Sequence, residues 1–357
     1  MVIPMACPTV PGSADDQTLP AEVFLEQPGA VAAFTPSEGF WCTAFRVRYR
    51  DSWVRILAEP PSWSALCTRP TWYGNPLLFP YPLSIAQGSF IYRGRSYSVR
   101  PGREGRPIHG LVRDNAWVID AFWSDEHGAH ARASISTGEG ANPGLCQYFP
   151  FPFRFTTSYT LWGTSLSMAF EATNLGDQPM PLGLGIHPYF PVPLIPGGAA
   201  SDAIVRSDVA YRLPHLLSEA QTEWQAPSGP YDLCAGQRVS DLLQLAGAGS
   251  KSLLLAYVQR ADLDAPTSDR GTGLHWSLAD AEHGLSIDII SSDAFRALVL
   301  YAPPAQNVIS PVISTCLSDG FNRSARGAPS GTIELDAGDT WRAWIRMDVS
   351  VENGKAS

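Results

Sequence analysis

The chain has 357 residues, 45% of them hydrophobic, and a formal net charge of −9. An acidic balance of that size argues against nucleic acid and anionic membrane as partners, because both require a positive field. Glycine and proline, 31 of each, break the text into short pieces and favour many strands over long helices.

Residues 1–20 are rich in Pro, Ser and Asp and read as a loose arm, with no basic n-region and no apolar run of signal-peptide length. From residue 21 to 350 the pattern is strand, turn, strand, and it reads as one all-β domain with 351–357 as a tail. Phe45 to Arg50 alternates apolar with basic, the period of a half-solvated strand. Ser89 to Val99 predicts a hairpin turning at Arg93-Gly94. Trp117 to Trp123 predicts a strand partnered by His130 to Ser136. Phe153 to Thr160 and Ser165 to Thr173 pair around Trp162-Gly163. Ser252 to Val258, Gly273 to Leu278, Leu285 to Ile290 and Ala297 to Tyr301 continue the pattern. Ile333 to Leu335 and Trp341 to Val349 read as a last hairpin turning at Ala337-Gly338. Val239 to Ala246 carries the one helical stripe. The fold expected is a large antiparallel β-sandwich of two stacked sheets.

The six cysteines, Cys7, Cys42, Cys67, Cys146, Cys234 and Cys316, are scattered without a C-x-x-C pair. They read as reduced, packed thiols, and with no membrane-length apolar run the expected location is cytoplasmic.

Two tracts carry candidate chemistry. Gly183-Leu184-Gly185-Ile186-His187-Pro188-Tyr189-Phe190 sets an imidazole between a glycine pair and an aromatic-flanked proline. Pro107-Ile108-His109-Gly110-Leu111-Val112-Arg113-Asp114 sets another beside glycine, with a guanidinium four residues on. Histidine titrates near neutral pH and can give or take a proton at little cost. Neither tract has zinc-ligand spacing, so no metal is expected. His127, His130, His215, His275 and His283 lie in turns or polar stretches and read as solvated.

These tracts resemble those of the aldose 1-epimerases (mutarotases). Gly185 to Phe190 is similar to that family's G-x-HPYF tract, and His109 to Trp117 to its HG-x-x-R-x-x-x-W tract. Asn75-Pro76-Leu77-Leu78-Phe79-Pro80-Tyr81-Pro82, Phe151 to Asp177, Leu300-Tyr301-Ala302-Pro303-Pro304 and Asp319-Gly320-Phe321-Asn322 follow in family order, so the resemblance runs from about Gln27 to Asp348. It implies the mutarotase-type super-sandwich, with a ligand groove on the concave face of one sheet. It also implies proton transfer on a sugar without metal or cofactor; the partner expected is a small molecule, whether a sugar, a sugar phosphate or a biosynthetic intermediate, and the protein is expected as a monomer or homodimer. His187 would protonate the ring oxygen as the sugar opens, and His109 would bind and polarise the same atom.

Two departures stand out. The family's Asn-Arg pair, which contacts the sugar, is replaced by Leu83-Ser84. Its catalytic glutamate, which lies in a Glu-Pro pair, aligns with Ser310-Pro311, and no glutamate occurs between Glu282 and Glu334. A serine hydroxyl is too weak an acid to serve unaided as a general base.

The remaining candidates stay two-sided. Arg113 offers a planar fork for an anionic substrate group, or a structural ion pair with Asp114 or Asp120. Asp241, and behind it Asp232, could stand for the family's sugar-binding aspartate or be turn acids. Trp72, Tyr73, Tyr81 and Tyr189 could stack on a pyranose or belong to the core. Ser310, the best match to the glutamate's position, is a candidate substrate contact, and Asp319 is an alternative base. Three functions remain open: an aldose 1-epimerase-like isomerase of a sugar or sugar phosphate, a mutarotase scaffold reassigned to a biosynthetic proton transfer, cyclisation or isomerisation on a less polar substrate, and a non-catalytic carbohydrate-binding protein.

Overall fold

The computed structural model describes residues 22–99, 107–137, 142–200, 203–214, 224–246, 252–267, 271–304 and 306–352. The proposed N-terminal arm, Cys7 and His215 lie outside these residues. Strand dominates, as the turn-rich text predicts, and the pairings are antiparallel apart from one isolated parallel bridge.

A nine-stranded sheet runs in the order Gln237–Arg238, Ala203–Ser207, Thr272–Asp280, Leu285–Ser292, Thr340–Val351, Ser165–Asn174, Phe153–Trp162, Gly128–Ser136 and Val118–Asp125. A seven-stranded sheet runs from Tyr211–Leu213 through Leu253–Val258, Ala297–Ala302, Val308–Ser314 and Gly185–Ile186 to Leu77–Leu78, with Phe190–Pro191 paired to Val308–Ser314. A four-stranded sheet, Val23 to Arg55, covers part of the larger one.

Period-two alternation assigns the faces. In the seven-stranded sheet Leu298, Leu300, Ile309, Ile313, Leu255 and Tyr257 enter the main core, where they join Ile287, Ile289, Ile345 and Met347 from the nine-stranded sheet. The intervening residues Ala297, Val299, Val312, Ala256, Val258 and Leu78 form a second cluster with Leu83, Leu213, Leu263 and Leu317. Ser310 and Tyr301, Cα partners on adjacent strands, have the parity of this second face. The face that carries the histidine tract is thus largely aliphatic.

Three expectations need correction. Ile333–Leu335 pairs with Met180–Leu182 rather than with Thr340–Val351, which instead lies between Leu285–Ser292 and Ser165–Asn174. The Asn174 side chain explains the divergence. Its amide donates to Leu335 O (3.0 Å) and Gln178 O (2.8 Å), drawing the Leu335 end aside. Helices at Trp63–Thr68 and Gly320–Ala325 escaped the sequence pattern because six residues are too few to show a 3.6-residue period. His130 is buried rather than solvated, bonded to Thr160 Oγ1 (2.9 Å) and Asp125 Oδ1 (3.0 Å) under the ring of Trp123. Among the described residues no helix is long and apolar enough to cross a membrane.

Candidate active site

His187 follows the short strand Gly185–Ile186, which is held between Leu77–Leu78 and Val308–Ser314. Its backbone N–H reaches Pro76 O (3.2 Å) and Asn75 Oδ1 (3.2 Å), so the Asn75-Pro76 tract fixes where the imidazole emerges. The ring is buried, 3% exposed. Nδ1 lies 2.6 Å from Ser310 Oγ, and Nε2 lies 2.9 Å from the Tyr189 hydroxyl.

Counting hydrogens fixes the direction of this chain. Ser310 Oγ has one hydrogen, and it is donated to the Pro188 carbonyl at 2.6 Å, an oxygen that can only accept. The serine oxygen must therefore accept from Nδ1–H. Nε2 is then the bare nitrogen, and the Tyr189 hydroxyl donates to it. Burial, reinforced by the positive charge of Arg113, lowers the His187 pKa to about 3, so the ring is neutral and the assignment holds throughout the physiological range. In this state His187 is a proton acceptor at Nε2 and has no proton to give there.

His109 stands 5.2 Å from His187, centroid to centroid, ring edge to ring face. Its backbone is left-handed, at φ +67°, and the next residue, Gly110, has φ +73°. Two segments zipped together impose this bend: His109 N–H donates to Leu83 O (2.8 Å), Ile85 N–H to Pro107 O (3.0 Å) and Leu111 N–H to Phe79 O (2.7 Å). A Cβ at Gly110 would collide with the Phe79 carbonyl, which is why glycine occupies this close approach. Behind the histidines the Arg113 side chain is fully buried, 3.5 Å from Asp114 Oδ1. Arg113 thus has the structural neighbour weighed above, and it acts on His187 through its field.

The other candidates separate. Tyr189 stacks on His187 at 4.5 Å and joins the site. Ser310 joins it as described. Tyr81 lies in the main core, edge-on to Phe321. Trp72 closes a single 3-10 turn, with the Arg69 guanidinium 3.8 Å over its indole. Asp241 is exposed in the first turn of the helix Val239–Leu245 and accepts from Ser240 Oγ (3.2 Å); that helix packs on Ala203–Ser207, Gln237–Arg238 and Leu253–Val258, so the structure does not gather Asp241 with the histidines. Asp232 caps its own turn through the Cys234 and Ala235 amides.

Asp319 fails as a substitute base. Its Oδ1 accepts from Ala86 N–H (3.0 Å) and Asn322 Nδ2 (2.6 Å), and its Oδ2 faces Arg326 Nη2 at 3.3 Å. Ser84, in the place of the family's arginine, hydrogen-bonds Ser318 Oγ at 2.8 Å, and Leu83 enters the second apolar cluster.

Tyr301 was missed by sequence reasoning as a site residue. It meets His187 at 5.8 Å and Tyr189 at 6.4 Å, edge to face. The one signal for it was its place in the Tyr-x-Pro-Pro-like strand. Asn75, which orients the His187 backbone, was visible only as part of a tract. Among the described residues no three His, Cys, Asp or Glu side chains are grouped to hold a metal ion.

Comparison with known proteins bears on the fold and the family. Residues 54–348 match the family described as aldose 1-epimerase. Protein LacX (plasmid) of Lactococcus lactis is 29% identical over 133 residues, 37% of this chain and 41% of that protein, so the matched stretch spans about two-fifths of the relative. Among solved structures, a galactose mutarotase-like protein of Clostridium acetobutylicum superposes with a TM-score of 0.73 at 22% identity, covering 91% of this chain and 93% of that one. The GalM/aldose epimerase homologue from C. elegans superposes with a TM-score of 0.70 at 14% identity, covering 93% and 100%. Those identities establish the shared fold, and the match of residues 54–348 establishes more: this chain is a member of the aldose 1-epimerase family.

Proposed function

We propose that the protein is an aldose 1-epimerase-like isomerase of a sugar or sugar phosphate in which His187, as a base, takes over the work of the missing carboxylate. The observation that carries this reading is the directed chain from Tyr189 O–H to Nε2, and from Nδ1–H to Ser310, ending on Pro188 O. Ser310 holds the tautomer that leaves Nε2 able to accept a proton.

Mutarotation moves one proton from the anomeric hydroxyl to the ring oxygen while the bond between C1 and that oxygen breaks. In the proposed sequence the Tyr189 hydroxyl gives its proton to Nε2 and takes the one leaving the anomeric oxygen. The C1 carbonyl forms, and the electron pair of the broken bond goes to the ring oxygen, which His109 polarises. The proton on His187 then returns through Tyr189 to the ring oxygen. Both oxygens are attached to C1 in the closed ring and stay close to it as the bond breaks, so a single relay can serve each in turn. Reclosure on the other face reverses the steps and regenerates the starting tautomer. No cofactor enters the balance.

Saturation-transfer NMR of anomer exchange in glucose, galactose and glucose 6-phosphate tests the reading. Exchange above background that falls at least about 100-fold in His187→Gln is expected, the size of one positioned proton-transfer group. Equal exchange in both proteins would refute it.

A second reading is favoured by one observation. Leu78, Leu83, Val299 and Val312 make the histidine-bearing face aliphatic where a sugar asks for amides and carboxylates. On that reading the same relay isomerises or cyclises a less polar substrate. Its mark would be absence of exchange on all three sugars, together with apolar ligands that shift the His187 resonances.

A further inference from the structure

The two ends of the nine-stranded sheet are finished differently. At one end the strand Gln237–Arg238 is two residues long and runs directly into the helix Val239–Leu245, which packs over it. Such an edge is blunted, because it leaves almost no backbone to template another strand. At the other end Val118–Asp125 is eight residues long, pairs with Gly128–Ser136 on one side, and has no strand on its other side among the described residues. It contains neither proline nor lysine, residues often used to protect an edge, and the β-bulge between Ile119 and Ala121 is its one irregularity.

This strand is also apolar on both faces. Val118 is 66% exposed, Ile119 41%, Phe122 53% and Trp123 41%. Ala121 and Trp123 lie on the face of Arg132 and His130, and Phe122 lies on the opposite face with Ala131. The strand's two acids are already engaged by its own sheet. Asp125 accepts from His127 N–H (2.7 Å) and Trp123 Nε1–H (3.3 Å) and faces His130 Nε2 (3.0 Å), while Asp120 accepts from Ser134 Oγ (3.0 Å).

We propose that Val118–Asp125 pairs antiparallel with the same strand of a second copy of this chain, continuing the sheet across a two-fold axis. The sequence is complementary to itself when the axis passes through Phe122. Phe122 then meets its own copy, and the small Ala121 faces the partner's Trp123. Asp120 faces the partner's Ser124 and Asp125 faces the partner's Ile119, so neither carboxylate meets another. Opposed residues of an antiparallel pair share a face, and both Ala121 and Trp123 belong to the same one, as this register demands. Pairing covers the flanks of Ile119, Phe122 and Trp123 that the free edge now leaves exposed in each copy. The proposal is independent of the reaction assigned above.

Sedimentation velocity of the full chain from about 1 to 100 μM, the range of ordinary protein–protein affinities, tests it, beside Phe122→Lys. The wild type is expected to form a dimer. The variant, which sets two charges opposite one another at the axis, is expected to associate at least about 30-fold more weakly, the loss of one central contact. Hydrogen exchange of the wild type supplies a reading that does not depend on the variant's folding: amides of 118–125 should gain protection as concentration rises. A monomer at every concentration would overturn the proposal. So would a dimer indifferent to Phe122→Lys when that variant is folded, or protection of 118–125 that does not change with concentration.

Discussion

Ser310 Oγ lies 2.6 Å from His187 Nδ1 and 2.6 Å from Pro188 O, so one serine both accepts from the imidazole and anchors to the residue beside it. A carboxylate at this position could accept from Nδ1 but could not donate to Pro188 O. The serine converts the site from one organised around an anion to one organised around a neutral ring with a fixed tautomer.

Removal of that hydroxyl should therefore act on protonation state. In Ser310→Ala the Nδ1–H loses its acceptor and Pro188 O loses its donor, a cost of about 1–3 kcal/mol for buried polar groups left unmade. Nitrogen-15 NMR of labelled histidine should show His187 wholly Nδ1–H in the wild type and mixed in the variant, and Ser310→Thr should restore the single tautomer. A wild-type ring already mixed would contradict the hydrogen count.

The depressed His187 pKa makes a prediction about stability against pH. The folded ring stays neutral down to about pH 3, whereas an unfolded histidine protonates near 6.5. As pH falls below 6.5 the unfolded state binds the extra proton, so stability present above 6.5 is lost, by about 1 kcal/mol per pH unit. The window from 6.5 to 5 keeps carboxylates largely ionised, and the difference between wild type and His187→Gln removes the contribution of the other histidines, such as His130 beside Asp125. Urea unfolding across that window should show the slope in the wild type and a reduced one in His187→Gln.

Gly110→Ala tests the scaffold beneath His109. The new methyl group collides with the Phe79 carbonyl at a left-handed φ, so the two zipped segments must part. Destabilisation of about 1–3 kcal/mol is expected, with displacement of the His109 ring. Thermal unfolding that matches the wild type would show that the close approach does not exist.

Most of the architecture could be read from the sequence because alternation and turn residues are local signals. The hairpins at Arg93-Gly94 and Trp162-Gly163 are examples. The supposed hairpin at Ala337-Gly338 misled, since a side chain from a distant strand, Asn174, decides where Leu335 goes. The histidines could be read because motif and glycine sat beside them. What Ser310 does could not, because it depends on three atoms from Pro188, His187 and Ser310 converging across 122 residues of chain. For Trp72, Tyr81 and Asp241 residue type suggested a ligand contact, while the structure sets them under the Arg69 guanidinium, in the main core and on an exposed helical turn.

The rate of anomer exchange as a function of pH, measured by saturation transfer on the sugars named above, tests the central claim most directly. If a neutral His187 is the base, exchange should be flat from pH 8 to about 4.5 and fall only as the ring titrates toward 3. Exchange that halves near pH 6.5, or that persists undiminished in His187→Gln, would contradict the account.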